Sequence, residues 1–177
     1  MFERPLTEES IKILHKWVLK NDPNAEKGIL SEGTIQGSID RAQGDFYGEE
    51  QFEDIFEKTA VLIHSIVMFH PFIDGNKRTA LISSFFFLLF HGYGLNIVKE
   101  EIIRILIDIA DGEIEDIHTT AEWLRKHSKE FGLRSKALLF LYRIFNSEID
   151  LSPLEEFGAL SKIMNGILSE MEKEWPE

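Results

Sequence analysis

His70-Pro71-Phe72-Ile73-Asp74-Gly75-Asn76-Lys77-Arg78-Thr79 is a short polar stretch between two strongly apolar runs, and its reading decides the fold. Before it, apolar residues at 52, 55, 56, 60, 63, 66 and 67 recur at the spacing of three and four that one buried helical face requires. The spacing predicts a helix over 52–69, stopped by Pro71. After it, residues 78–91 are apolar nearly all the way round, as in a helix surrounded by others, and Gly92 supplies a C-terminal stop. In the first turn of this second helix the backbone N–H groups lack intrahelical partners and the dipole is positive. Gly75, Asn76 and Lys77 therefore stand where an anion such as phosphate would bind.

Each residue of the stretch also has a purely structural reading. A histidine before a proline can cap carbonyls, and Asp-Gly-Asn is ordinary turn chemistry. The Lys77-Arg78 pair tips the balance, because positive charge in the first turn of a buried helix opposes the dipole unless an anion sits there. Residue chemistry then assigns roles. Histidine's ordinary pKa lies near neutrality, so His70 suits a general base that takes a proton from a hydroxyl. Asp74 is a hard oxygen ligand for Mg2+ held mainly by waters and nucleotide phosphates. Arg78 can pair with phosphate oxygens through its fork, Lys77 adds a point charge, and Asn76 with the Gly75 backbone completes the cradle. Phe72 points into the core and anchors the loop. The reaction class is transfer of a phosphorus-containing group to a hydroxyl.

Working outward, Thr7 is a good N-cap for a helix led by Glu8 and Glu9, with Ile11, Leu14, Trp17 and Val18 on one apolar face, ending at 21–24. Residues 28–48 are rich in glycine and small polar residues and read as loop with short pieces of structure. Residues 38–42 could give a helical turn or two, and Ile29-Leu30 or Phe46-Tyr47 part of a short hairpin. Beyond the central helices, 93–96 form a turn, and 99–110 make a helix burying Ile102, Ile103, Leu106 and Ile109. Thr119 or Thr120 caps a helix ending near Ser128. Two further helices are expected, near 136–146 and from Pro153 to about 174. No alternating pattern is long enough for a real sheet, so the fold class is all-α. The division is a domain of 1–128 and a helical extension of 129–177. Leu138, Leu139, Leu141, Tyr142 and Phe145 give that extension a broad apolar face, to pack on the core, on a second copy in a homodimer, or on a partner.

Composition narrows the function. With 177 residues, 44% hydrophobic and 28% charged, the chain can bury a sizeable core. Its net charge of -12 argues against direct binding to nucleic acid or to anionic membranes. The absence of cysteine excludes disulfides and thiolate metal sites and is compatible with a reducing, cytoplasmic location. No basic region leads into an apolar core at the N-terminus, so no signal peptide is expected, and the apolar run 79–90 is too short for a bilayer. His15, His64, His91, His118 and His127 show no metal-ligand spacing and read as structural or surface residues, with His64 near the site. Trp17, Trp123, Trp175 and the run 85–87 read as packing groups.

The stretch His70 to Arg78 resembles the signature of the Fic/Doc superfamily, H-x-F-x-(D/E)-(G/A)-N-x-R, and a looser likeness runs from about Leu6 to Ser128. The resemblance implies a helical bundle around a buried central helix, a short β-hairpin flap that aligns the target backbone, and a nucleoside triphosphate with Mg2+ as cofactors. By position it places the general base on His70, the metal ligand on Asp74, and phosphate binding on Asn76 and Arg78. Adenylyl-transferring members continue as G-N-G-R-x-x-R, whereas Lys77 and Leu81 occupy the two distinguishing places here. With the run Asn76 to Ala80, this is similar to the death-on-curing (Doc) branch, whose members move the terminal phosphate. The implied partners are a protein target with a Ser, Thr or Tyr hydroxyl and an antitoxin protein. Protein adenylyl transfer (AMPylation) and a non-catalytic anion-binding or interaction module remain the alternatives. The inhibitory (S/T)-x-x-x-E-(G/N) pattern of some members has no clean match: Ser152 and Glu156 are followed by Phe157.

Overall fold

The computed structural model describes residues 6–20, 22, 24–46, 49–52, 54–95 and 99–130. Among them are six helices: α1 (Glu8–Leu19), α2 (Glu32–Gln43), α3 (Ile55–Phe69), α4 (Asn76–Phe90), α5 (Lys99–Ala110) and α6 (Ile117–His127). Two small antiparallel pairs accompany them, β1 (Asp45–Phe46) with β2 (Glu49–Glu50) and β3 (Tyr93–Leu95) with β4 (Ser128–Glu130). The expected all-α class is therefore observed, with hairpin-sized β additions.

α3 and α4 form a helical hairpin joined by residues 70–75, and the other described helices pack around it. α3 touches α2, α5 and α6, and one apolar cluster fills the space between them, centred on Ala60, Leu62, Ile66 and Val67. A second cluster sits between α1 and α4, where Leu14, Val18 and Leu19 meet Ile82, Phe86 and Leu89. All but one of the residues 76–89 in α4 are buried, as its all-round apolarity requires. His64 hydrogen-bonds Thr120 of α6 through Nε2 at 2.8 Å, so it ties the bundle together. No described helix is long and apolar enough to cross a membrane.

Several boundaries follow directly from local chemistry. Thr7 caps α1 with a full capping box, its hydroxyl accepting from the Ser10 N–H while the Ser10 hydroxyl accepts from the Thr7 N–H. α3 begins three residues later than expected, because the Asp54 side chain accepts from the Phe56 and Glu57 N–H groups and sets the N-cap. Asp116, not Thr119 or Thr120, caps α6, with Oδ1 accepting from the His118 N–H and Oδ2 from the Thr119 N–H.

The larger difference is α2. The expected loop over 28–48 contains a 12-residue helix, capped by Ser31 and burying Ile35, Ser38, Ile39 and Ala42. Gly33 and Gly37 lower its intrinsic propensity but leave this face intact, and packing on α3 decides the outcome. The short hairpin expected at Phe46-Tyr47 is represented by β1–β2, and Ile29 makes an isolated antiparallel bridge to Phe72. The domain boundary after 128 falls inside β4, which pairs back onto β3. The helices expected at 136–146 and 153–174, Trp175 and the apolar face of the extension lie outside the described residues.

Candidate active site

The site is built where α3 stops and α4 starts. α3 ends at Phe69 because Pro71 bars the right-handed helical conformation at the residue before it. His70 turns left-handed instead, at φ 44 and ψ 61, and is the one non-glycine residue with positive φ among the described residues. Such a conformation costs about 1 kcal/mol, so the surroundings must hold it. They do so from two sides. The Leu30 N–H donates to the Pro71 carbonyl at 2.7 Å, and the Ile73 N–H donates to the Gly28 carbonyl at 3.1 Å. From the other side, Asn76 grips Phe72 twice: its Oδ1 accepts from the Phe72 N–H at 3.0 Å and its Nδ2 donates to the Phe72 carbonyl at 2.8 Å.

Phe72 is fully buried, its ring stacked on the imidazole of His15 at 3.7 Å and 10°. His15 is buried as well. Its Nδ1 is hydrogen-bonded to the Thr79 hydroxyl at 3.0 Å, and its Nε2 has no hydrogen-bond partner among the described residues. Burial is the main cause that lowers its pKa to about 4. The Arg78 charge acts in the same sense and the Asp74 charge in the opposite one. His15 is therefore neutral at pH 7 and forms the floor beneath the loop.

Gly75 is the N-cap of α4 at φ 76 and supplies no side-chain cap. A β-carbon there would stand 3.0 Å from Leu19 Cδ2 and 3.5 Å from His15 Cε1, so glycine serves both the backbone turn and the close approach to α1. The first turn of α4 then carries Asn76, Lys77 and Arg78. Asn76 and Arg78 are buried, and Lys77 is partly exposed. The Arg78 guanidinium is shared between two carboxylates, with Nη1 on Asp22 Oδ2 at 2.8 Å and Nη2 on Asp74 Oδ1 at 3.1 Å. Asp74 Oδ1 also accepts the Gly75 N–H. Hydrogen bonding from Arg78 is the leading cause that lowers the Asp22 pKa.

The structure thus brings His70, Asp74, Gly75, Asn76, Lys77 and Arg78 together at the start of one helix, with different immediate duties. His70 is exposed and makes no hydrogen bond to a described residue, as suits a group that exchanges protons with an incoming molecule. Asn76 is committed to the loop backbone, and Phe72 anchors the loop from the core. Asp22 and His15 belong to the site although the sequence alone marked neither. The electrostatic clash foreseen for Lys77-Arg78 is met for Arg78 by two aspartates.

No group of three or more His, Cys, Asp or Glu suited to a metal occurs among the described residues. Mg2+ does not need one, because it is commonly held by a single carboxylate with waters and substrate phosphates. Asp74 fits that chemistry. One of its oxygens is oriented by Gly75 and Arg78, while the other takes no hydrogen bond from a described residue.

Comparison with known proteins accords with this geometry. Residues 5–88 match the model of the Fic/DOC family. Over 70 residues the chain is 33% identical to the protein named Toxin Doc of Mycolicibacterium smegmatis, covering 40% of this chain and 54% of that protein. Over 99 residues it is 32% identical to the protein named Protein kinase doc of Escherichia phage P1, covering 56% of this chain and 76% of that protein. The matched region spans about half of the first relative and three quarters of the second.

Proposed function

This chain belongs to the Fic/DOC family, in its Doc branch, and from that premise we propose that it is a protein phosphotransferase. It would move the terminal phosphate of a nucleoside triphosphate to a Ser or Thr hydroxyl of a protein target, acting as the toxin of a toxin-antitoxin pair. The observation that carries the choice of phosphoryl over adenylyl transfer is Leu81. It occupies the place of the second arginine of the adenylyl-transferring pattern, one turn beyond Arg78, and is buried in the apolar core at 5% exposure. No cation is supplied there for a second phosphate contact.

In this reading the acceptor hydroxyl approaches the exposed His70 imidazole, which takes its proton as the oxygen attacks the terminal phosphorus. The bond from that phosphorus to the nucleoside diphosphate breaks, and the diphosphate leaves with its electron pair. Arg78, Lys77 and the first-turn N–H groups of α4 hold the phosphates and stabilise the charge that shifts between them. Asp74 would hold Mg2+, which when bound screens the phosphate oxygens from one another. Asn76 acts through the loop, fixing Phe72 and with it the position of His70. The acceptor backbone would align along Gly28–Leu30, the segment bonded to the loop.

Incubation of the protein and a cell extract with ATP labelled at either the α or the γ phosphate tests this. Label from γ, lost in His70→Ala, is the expected result. Label from α would replace it with adenylyl transfer, and no label from either position would leave an anion-binding module. Co-expression with a candidate antitoxin, against growth of a host carrying His70→Ala, checks the toxin role.

A further inference from the structure

The described residues leave five large apolar side chains exposed: Ile29 at 40%, Leu30 at 64%, Met68 at 47%, Phe69 at 55% and Ile73 at 45%. All five belong to the two segments that carry or brace His70. Met68 and Phe69 end α3 directly before His70, and Ile73 follows in the same loop. Ile29 and Leu30 join them through space, because their segment is hydrogen-bonded to Pro71 and Ile73. Single exposed apolar residues are normal on a protein surface, but a cluster of this kind marks a contact surface. The guanidinium of Arg41 stands 5.9 Å from the Phe69 ring centroid and steadies that ring from one side.

The backbone says what kind of molecule covers the cluster. In the Ile29–Phe72 bridge the hydrogen bonds are made by the flanking residues, Leu30 to Pro71 and Ile73 to Gly28. The N–H and C=O of Ile29 therefore face away from the loop, and neither bonds a described residue. An occupant that satisfies the whole surface brings apolar side chains together with a backbone donor and acceptor, which is an extended polypeptide. A lipid surface offers apolar contact without that hydrogen-bonding edge, and the chain's net charge of -12 opposes anionic headgroups and nucleic acid alike.

We propose that this rim determines acceptor specificity: it selects protein segments whose reacting hydroxyl residue is flanked by large aliphatic or aromatic side chains. The inference rests on the transferase reading above, since the rim lies on the segments next to His70. The side chains flanking the acceptor hydroxyl would seat against Leu30, Phe69 and Ile73, while the hydroxyl itself meets the imidazole. The rim contributes binding of the acceptor and no chemistry, so its loss raises KM and leaves kcat nearly unchanged.

The test uses the full chain and short synthetic peptides with one central Ser or Thr, flanked either by Leu, Ile and Phe or by Gly, Asp and Lys. Peptide binding is read by fluorescence anisotropy, and transfer of the γ phosphate is read in parallel. Wild type is expected to prefer the apolar-flanked set, and Leu30→Ser or Phe69→Ser to lose about tenfold of that preference, close to the effect of one large side chain. Both substituted side chains are exposed, so folding is not at stake, and circular dichroism with ATP affinity checks it. Equal binding of the two peptide sets, or an unchanged preference in both variants, overturns the rim while a His70-dependent transfer would leave the enzyme reading standing. Selective binding without any transfer sinks the enzyme reading and keeps the rim as a peptide surface. A concentration-dependent dimer that Phe69→Ser dissolves, or a preference for anionic vesicles over both peptide sets, would assign the surface to another occupant and overturn the proposal.

Discussion

At its C-terminal end α4 closes on itself. The His91 N–H donates to the Leu88 carbonyl at 3.0 Å, the His91 ring donates from Nδ1 to the Phe87 carbonyl at 2.8 Å, and Gly92 reverses the chain at φ 88. At its N-terminal end the same helix has a glycine cap without a side chain, a buried Arg78 and a committed Asn76. The C-terminal end spends its local chemistry on ending a helix, whereas the N-terminal end runs against two local rules, capping and charge. Those violations are stabilised from outside the helix, by Asp22, His15 and the Gly28–Leu30 segment. Parts of a protein that break local rules and are propped from far away in sequence are where function is built.

The sharpest way to break this contrast is at Arg78. Its removal in Arg78→Ala leaves the partly buried Asp22 and Asp74 without the cation they share, and such an orphaned pair costs about 3 kcal/mol. Nucleotide binding should vanish with it. Chemical denaturation and titration with ATP read the two effects separately. Arg78→Lys should regain part of the stability but little of the binding, because an ammonium cannot bridge two carboxylates in the geometry of the fork. At the other end of the helix, His91→Ala removes the ring's hydrogen bond to Phe87 and its edge contacts with Phe87 and Phe90, costs about 1 kcal/mol and leaves ATP binding alone. Equal losses of binding from the two ends would refute the distinction.

The same contrast explains how much could be read from the residue order. α1 and α5 were legible because their apolar residues repeat on one face, and α1 is also capped locally by Thr7 and Ser10. The family signature likewise lies within one short stretch, from His70 to Arg78. α2 was not legible, because Gly33 and Gly37 mask a face on which only Ile35 and Ile39 are strongly apolar, and its stability comes from α3. Within the site, the missed residues are those whose partners are far off. Asp22 meets Arg78 across 56 positions, and His15 meets Thr79 across 64. Asp22 looked like a helix terminator and His15 like one histidine of six, and only the packing of α1 against α4 reveals either. Asn76 was placed in the right loop, but its grip on the Phe72 backbone needs three-dimensional geometry to be seen.

His15 gives a second, graded test. In the folded protein its pKa is lowered to about 4 from 6.5, so in the range between these values the unfolded chain takes up a proton that the folded chain refuses. Stability is therefore unaffected by His15 above about pH 6.5 and falls as the pH drops towards 4, by at most about 1.4 kcal/mol per pH unit. His64 is lowered by burial too and adds to the slope in the same direction. Denaturation midpoints across this pH window should flatten in His15→Gln but keep the remainder due to His64. A slope identical to wild type would mean that His15 is not held neutral beneath the loop.

The finest comparison sets the two glycines of α4 against each other. Both have left-handed backbones, φ 76 at Gly75 and φ 88 at Gly92, so alanine at either place carries a conformational cost of about 1 kcal/mol. Gly75 has a further constraint, since the new β-carbon would stand 3.0 Å from Leu19 Cδ2 and must push α1 or the loop aside by a few tenths of an ångström. Gly75→Ala should therefore lose somewhat more stability, about 2 kcal/mol, and should also weaken ATP binding by shifting the first turn of α4. Gly92→Ala should carry that backbone cost and bind ATP as wild type does, because it lies at the far end of α4. If Leu19 simply rotates away, the stability costs converge while the difference in binding disappears. That result would locate the role of Gly75 in the turn alone, because a loop that tolerates the β-carbon has no need of its close approach to α1.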